Sequence, residues 1–160
     1  MQHRLAMTTG AILLLALALL GCQQIRGEGG PLQGENGTGD GKAMQRVGAS
    51  GARTVWLHDG ETRAFSFEPE ESGSYNVFVR YSNDNFGPTE TVTVNLDGST
   101  VGQFSAEDTG SEGHGWVEFR ISPLLGLVSL SSGKHKITVV ISGGDGYGIE
   151  IDEVILDRIT

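Results

Sequence analysis

From Ala43 onward, apolar and polar residues alternate over short stretches, and this period of two is typical of β-strands that bury one face. In SGSYNVFVRYSNDN, residues 72–85, one face carries Tyr75, Tyr81 and the two valines between them, whereas Arg80 points to the other face. We expect both tyrosines to lie in the core. We expect Arg80 to pair with a carboxylate on the outer face.

The alternation predicts seven strands, separated by turn-forming pairs such as Asp59-Gly60 and Asp97-Gly98. The predicted strands are residues 54–57, 62–68, 74–82, 91–96, 116–122, 135–142 and 148–156. The segment SPLLGLVSL, with its proline and glycine, favours a crossing loop with a short strand. Strands with one apolar face need a second sheet to cover it, so the sequence predicts an all-β, two-sheet antiparallel β-sandwich in a single domain.

A different pattern precedes these strands. The apolar run AILLLALALL, residues 11–20, follows Arg4 and ends at Gly21-Cys22, which is typical of a secretory signal peptide and too short for a permanent membrane span. The sequence LLGC, Leu19 to Cys22, resembles a bacterial lipobox. That resemblance implies that Cys22 becomes the mature N-terminus and carries diacylglycerol, with a further acyl chain such as palmitate in many species. The alternative is an unmodified thiol within an ordinary signal peptide.

The residues after Cys22 form a glycine-rich segment. Gln23 to Lys42 contains seven glycines and no hydrophobic period, which predicts a flexible tether with a reach of roughly 25 Å. The chain therefore divides into a signal peptide (1–21), a lipidated cysteine with its tether (22–42) and a β-sandwich domain (43–160). Gln23 occupies the position at which, by resemblance to enteric bacteria, an Asp signals inner-membrane retention. This favours the outer membrane or the cell surface of a bacterial envelope.

The composition restricts the classes of partner that the chain can bind. The chain has 11 Lys and Arg against 20 Asp and Glu, a formal net charge of -9, which repels phosphate backbones and argues against nucleic acid. Such acidity favours either a cation such as calcium or simply a well-solvated surface. Cys22 is the single cysteine, so it has no partner for an internal disulfide.

Several stretches resemble, in the same order, those of family 6 and family 35 carbohydrate-binding modules. They are WLHDGETRAFSFEPEESGSYNVFVRYSN (56–83), TVTVNLDGSTVGQFSAEDTG with the following GW (91–116), VSLSSGKHKITVVIS (128–142) and IEIDEVIL (149–156). The resemblance implies a jelly-roll-like, galactose-binding-like sandwich that binds sugars and often holds a structural calcium ion.

Sugar recognition needs an aromatic face for the apolar side of the ring and short polar groups for its hydroxyls. The candidate binding residues are therefore of two kinds, aromatic residues near predicted strand ends and polar residues beside them. They are Trp56, Trp116 and Tyr147, together with Asn83, Asp84, Asn85, His114, Asp145 and Glu150. The alternatives are that the indoles cap the core and that the Asn-Asp-Asn cluster is ordinary turn chemistry.

The resemblance also suggests where calcium would bind. Those modules begin with an acidic strand, and we place its counterpart at KAMQRVGAS, residues 42–50, which contains no acid. Asp152 matches the closing-strand Asp of the family, and Glu61 and Glu68 are candidate additional ligands for an ion that prefers six to eight oxygens. The ligand-contacting Asn of the family is replaced by Glu150.

Signals for catalysis are weak. His58, His114 and His135 lack zinc-ligand spacing, and no G-x-S-x-G sequence is present. We therefore expect a monomeric, membrane-anchored, non-catalytic module that binds a polysaccharide or other glycan at the bacterial cell envelope. The alternatives are an envelope protein-interaction or structural module, and a small hydrolase with a carboxylate pair.

Overall fold

The computed structural model describes residues 31–111 and 113–159, which form two antiparallel β-sheets. The strands in this part of the chain are β1 (Leu32–Gln33), β2 (Thr38–Gly39), β3 (Lys42–Gln45), β4 (Arg53–Leu57), β5 (Thr62–Phe67), β6 (Gly73–Ser82), β7 (Glu90–Leu96), β8 (Ser99–Ala106), β9 (Arg120–Ile121), β10 (Gly126–Leu130), β11 (His135–Ser142) and β12 (Ile149–Arg158). Short 3₁₀ turns occupy Gly34–Asn36, Ser50–Ala52 and Gly115–Val117. The predicted all-β sandwich is confirmed.

The first sheet has the order β10-β6-β12-β4-β3, with β1 also paired to β12 and β9 to β6. The second sheet has the order β2-β5-β11-β7-β8. No helix within residues 31–111 and 113–159 is long and apolar enough to span a bilayer.

The core lies between the sheets and is built from the inward residues of the alternating strands. Val77, Val79, Val139 and Ile151 have no exposed surface. Tyr75 and Tyr81 are 1% and 4% exposed, which confirms the prediction that both belong to the core. Burying such side chains contributes roughly 1.5–3 kcal/mol each, so these alternating faces supply the main stabilising term of the fold.

Six of the seven predicted strands are confirmed, and 135–142 has the predicted bounds. The prediction for residues 116–122 is wrong, because this segment forms the 3₁₀ turn Gly115–Val117 followed by the two-residue strand β9. Gly115 is pressed against the β6–β7 loop, where a Cβ would lie 2.1 Å from the carbonyl oxygen of Asn83. This close approach fixes the turn in place, although the apolar alternation of the segment resembles that of a strand.

The strand β10 was expected from the sequence, whereas β8 was not. The short strand expected within SPLLGLVSL is β10, which pairs with β6. The strand β8 was not predicted, because this edge strand buries only Phe104 and Ala106 and so lacks a sustained alternation. It pairs with β7 through the turn at Asp97 and Gly98, whose φ angles are 49° and 85°.

The predicted tether is corrected from residue 31 onward. Leu32 and Gln33 pair with Val154 and Glu153 of β12, and β2 pairs with β5. The segment is fixed by Arg63, whose guanidinium donates to main-chain carbonyls of Gly34 (3.1 Å), Glu35 (2.9 Å) and Asp40 (3.0 Å). A glycine-rich sequence therefore folds here because main-chain carbonyls satisfy a buried cation. The predicted signal peptide, Cys22 and residues 23–30 lie outside the described residues.

Four connections meet at one end of the sandwich, which we call the loop end. They are residues 58–61, 83–89, 107–111 with 113–119, and 143–148. The pairing registers place them together, because Leu57 pairs with Ile149, Ser82 with Glu150, and Glu90 with Ala106.

Candidate functional site

Two indoles meet at the loop end. Trp56 lies on the outer face of β4 and Trp116 in the 3₁₀ turn, with ring centroids 6.2 Å apart in an edge-to-face arrangement at 75°. Both are half-buried, and the indole N–H of Trp56 donates to the carbonyl oxygen of Tyr147 at 2.7 Å. The indoles therefore lie outside the core, and the hydrogen bond joins them to the 143–148 loop.

Glu150 lies beneath this pair and has no exposed surface. Arg46 donates to it through Nε at 2.9 Å and through a second nitrogen, and the Thr54 hydroxyl donates at 2.6 Å. The Arg46 guanidinium carbon also lies 6.0 Å from the centre of the Trp116 ring. The prediction that Glu150 contacts a ligand is corrected, because a fork-shaped cation covers its carboxylate and supplies the partner that a buried charge requires.

Asp152 is a second buried carboxylate on this side of β12. It accepts the main-chain N–H of Ser50 at 2.9 Å and pairs with Arg80, which confirms the predicted carboxylate partner of Arg80. Burial raises the pKa of Asp152 to about 6, and the Ser50 N–H and Arg80 oppose that rise. Glu61 instead accepts the His58 N–H at 2.8 Å in the β4–β5 turn, and Glu68 follows the far end of β5. The predicted calcium set Glu61, Glu68 and Asp152 is therefore wrong.

The Asn-Asp-Asn cluster is largely internal. Asn83 is 1% exposed, and its amide donates to Glu90 Oε2 at 2.9 Å and to the Ala106 carbonyl at 2.7 Å. Asp84 is 3% exposed and accepts the Gly113 N–H at 3.1 Å. The prediction that these two side chains contact a ligand is corrected, since both hold the loops together from within. Asn85 is half-buried and accepts the Gly87 N–H at 2.9 Å.

The exposed part of the loop end is aromatic. Tyr147 is 56% exposed and lies beside Phe86, which is 57% exposed, with ring centroids 5.5 Å apart. Asp145 accepts main-chain N–H groups from both residues, at 2.8 Å from Tyr147 and 2.6 Å from Phe86. Sequence reasoning missed Phe86, because it follows a polar turn instead of standing at the end of a predicted strand.

The structure thus brings Trp56, Trp116, Tyr147 and Asp145 to one end of the molecule. His114 is exposed just before the 3₁₀ turn that carries Trp116, and the ring of His58 lies 4.5 Å from that of Trp56. Sequence reasoning missed Arg46, which belongs to the region that we aligned with an acidic strand of the family.

Oxygen atoms suited to a cation lie elsewhere. Within the described residues no group of three or more His, Cys, Asp or Glu side chains is positioned to hold a metal ion. However, Gln33 Oε1 and Glu35 Oε2 are buried and have no hydrogen-bond partner within residues 31–111 and 113–159. Both side chains face Gly51, where a Cβ would lie 3.4 Å from Glu35 Oε1 and 3.6 Å from Gln33 Oε1. An amide oxygen and a carboxylate converging on a main-chain turn fit calcium chemistry.

Comparison with known proteins identifies the fold. No family model matches the chain, and no curated protein matches its sequence. Among solved structures, the chain is similar to a family 35 carbohydrate-binding module from Clostridium thermocellum, with a TM-score of 0.64 and 19% identity over 81% of this chain and 97% of that one.

Two enzymes contain a similar region. An exo-beta-1,3-galactanase from Phanerochaete chrysosporium, solved with galactose, matches with a TM-score of 0.60 and 26% identity over 80% of this chain and 29% of the enzyme. A GH26-CBM35 beta-(1,4)-mannanase from Podospora anserina matches with a TM-score of 0.60 and 18% identity over 83% of this chain and 28% of the enzyme. The chain has the galactose-binding-like sandwich fold of family 35 carbohydrate-binding modules.

Proposed function

We propose that this chain is a non-catalytic carbohydrate-binding module whose ligand lies across the aromatic surface at the loop end. The observation that supports this most directly is that Trp56 and Trp116 meet outside the core at this end. The half-exposed Tyr147 lies on the loop that accepts the Trp56 N–H. Aromatic rings held in fixed positions stack on the C–H faces of pyranose rings without loss of side-chain freedom.

The similar structures support the same ligand class. They include an isolated carbohydrate-binding module and regions of two glycan-degrading enzymes. In this chain the position expected for a ligand-contacting Asn is the covered Glu150, so hydroxyl groups of the ligand meet exposed groups such as His114 instead.

Affinity electrophoresis of the purified full chain tests the proposal. The gels contain a β-1,3-galactan, a β-1,4-mannan or an α-1,6-glucan, and we expect at least one of them to retard the folded protein. The Trp116→Ala variant should lose about tenfold or more in affinity, which corresponds to about 1.4 kcal/mol. Leu127→Ala is the matched control, because Leu127 is 61% exposed on the distant strand β10. The proposal would be contradicted if none of these polymers retarded the folded protein.

We propose that Cys22 anchors the module to the bacterial cell envelope. The lipobox-like LLGC and the glycine-rich residues that follow support this assignment. Metabolic labelling with an alkyne analogue of palmitate, followed by cell fractionation, should give a labelled protein in the membrane fraction. The Cys22→Ala variant should be unlabelled, and equal labelling of both proteins would exclude this anchor.

A second candidate function is a protein-interaction module of the envelope. The observation that favours it is that Arg46 covers Glu150. An ion pair therefore occupies the position at which the resemblance to the family implies a polar contact with sugar. Crosslinking in cells separates the two candidates. A stoichiometric protein partner together with no polysaccharide retardation would support this candidate.

We also propose that calcium binds at Gln33, Glu35 and the Ser50–Ala52 turn, where it would neutralise Glu35 and fix the loop that carries Arg46. Two buried side-chain oxygens, which have no partner in the described part of the chain, support this. Because an ion that binds only the folded state stabilises it, millimolar Ca²⁺ should raise the melting temperature relative to excess EGTA. Glu35→Gln should abolish most of that difference, whereas the exposed control Glu70→Gln should keep it. An unchanged calcium response in Glu35→Gln would refute this site.

A further inference from the structure

Phe86 and Tyr147 form an exposed aromatic pair that the core does not need. They come from different connections, β6–β7 and β11–β12, and their ring planes are inclined at 57° with centroids 5.5 Å apart. Each of the two residues exposes more than half of its surface. Exposed apolar residues that lie next to one another commonly mark a site where a protein binds a partner or ligand.

The pair is held in place by a single carboxylate. Asp145 Oδ2 accepts the Phe86 N–H at 2.6 Å, and Oδ1 accepts the Tyr147 N–H at 2.8 Å. Gly87 allows the two loops to approach, because a Cβ at that position would lie 3.0 Å from the Asp145 Cβ. The main chain of both residues is therefore fixed before any ligand arrives, which reduces the entropy lost on binding.

The pair adjoins the indoles. The carbonyl oxygen of Tyr147 accepts the Trp56 N–H at 2.7 Å, and Trp56 packs edge to face on Trp116. Two aromatic pairs thus follow one another across the loop end, joined through the main chain of a single residue. A ligand made of several sugar rings offers one ring to each pair, because each ring stacks on its own aromatic face.

The charged residues around the Phe86–Tyr147 pair indicate which class of sugar fits there. Residues 83–90 and 143–148 contain no Lys or Arg, while the Asp145 carboxylate accepts the main-chain N–H groups of the two residues that carry the rings. An anionic sugar would meet a like charge at this pair. A neutral sugar instead finds aromatic faces beside a hydrogen-bond acceptor.

We propose that Phe86 and Tyr147 form a second sugar subsite beside the Trp56–Trp116 pair, so that the module binds neutral oligosaccharides of at least two rings in preference to single sugars. This inference rests on the proposed carbohydrate-binding function. It assigns to Phe86 a role in selecting chain length.

Isothermal titration of the full chain with matched single sugars and trisaccharides tests the subsite. The pairs are galactose and β-1,3-galactotriose, mannose and β-1,4-mannotriose, and glucose and isomaltotriose, with trigalacturonic acid as the anionic probe. The trisaccharide that binds should bind at least tenfold more tightly than its single sugar, and trigalacturonic acid should bind more weakly. Phe86→Ala should weaken trisaccharide binding about 3- to 10-fold, the range expected for one aromatic contact, and leave single-sugar binding unchanged.

The outcomes separate this inference from the proposed function. Trp116→Ala should weaken the binding of a trisaccharide and also of its single sugar. Leu127→Ala should weaken the binding of neither. If Trp116→Ala loses affinity while Phe86→Ala binds the trisaccharide as the unmodified chain does, the second subsite is refuted and the carbohydrate-binding function stands. Equal affinities for a trisaccharide and its single sugar would also refute the subsite. If the folded chain binds none of the seven probes and no polysaccharide, both proposals fail together.

Discussion

Glu90 shows how a single buried carboxylate organises the loop end from within. It is 1% exposed, its Oε2 accepts the Asn83 amide at 2.9 Å, and its Oε1 has no partner among the described residues. The 143–148 loop packs directly against it, because a Cβ at Gly144 would lie 2.4 Å from Oε1. Burial raises the pKa of Glu90; the Asn83 hydrogen bond opposes this rise, and nearby Asp145 adds to it. The site thus depends on a carboxylate that no ligand reaches.

This environment predicts how stability depends on pH. The folded state keeps the Glu90 proton to a higher pH than the unfolded chain does, because its pKa lies above the ordinary 4.5. The contribution of this group to the free energy of unfolding therefore falls as pH rises from about 4.5 towards the folded pKa. Glu90→Gln keeps an oxygen acceptor but does not ionise, so its stability relative to the unmodified chain should increase between pH 4 and 7.

Urea unfolding at pH 4, 5, 6 and 7 measures this difference. Glu107→Gln, an exposed change close to the same loops, is the control and should follow the unmodified chain at every pH. If the free energies of unfolding of Glu90→Gln and of the unmodified chain changed in parallel with pH, Glu90 would have the same pKa in the folded and unfolded states.

Residue identities predicted the exposed aromatic groups better than the polar ones. Trp56 and Tyr147 reach one end because strand ends of an antiparallel sandwich alternate between two ends. Trp116 reaches the same end in the 3₁₀ turn Gly115–Val117, which packs against the β6–β7 loop. Asn83 and Asp84 have the composition of a solvent-facing turn, and the sequence holds no signal that Glu90 and Gly113 bind them from other segments. Long-range partners of this kind become visible only in the folded chain.

At the scale of elements, the longer strands were predictable because each buries alternate residues against the second sheet. The strands β1 and β2 have two residues each and lack that alternation. They are held by pairing with β12 and β5 and by the Arg63 guanidinium, none of which leaves a local pattern. The boundary predicted at Ala43 consequently falls inside the folded unit.

Truncation tests the role of this N-terminal segment. A chain that begins at Ala43 lacks β1 and β2 and leaves buried Arg63 without its carbonyl acceptors, each lost partner costing about 1–3 kcal/mol. We expect its melting temperature to fall by more than about 10 °C, or the chain not to fold. A chain that begins at Pro31 is the matched control and should melt with the full chain.

Arg63→Lys in the full chain gives a second measurement that does not depend on the truncated chain folding. Lysine keeps the positive charge but lacks the fork that reaches several carbonyls at once. We expect it to lower the melting temperature while the strands remain. A truncated chain and an Arg63→Lys variant that both melt with the full chain would show that the segment only lies against the sandwich.

At the scale of the whole molecule, the path of the chain separates its two ends in function. β12 runs away from the loop end, and Leu32 pairs with Val154 in the antiparallel direction, so the chain enters β1 from the far side of the sheet. Pro31 therefore lies at the end of the sandwich opposite the aromatic surface. The anchor proposed at Cys22 would then join the domain at the end opposite the proposed binding surface.

The overall charge leads to a prediction about ionic strength. The formal net charge is -9, and the proposed contacts are ring stacking and neutral hydrogen bonds. Salt screens charges, with a screening length of about 10 Å at 0.1 M and about 3 Å at 1 M, but it does not weaken stacking. Affinity for the neutral polysaccharide that retards the chain should therefore change less than about twofold between about 50 and 500 mM NaCl, as measured by titration.

Polygalacturonate is the anionic control. Because the acidic chain repels it at low salt, it should bind no more tightly than the neutral polymer at any NaCl concentration. A tenfold loss of neutral-polymer affinity over this range would mean that charged groups, not the aromatic surface, dominate recognition.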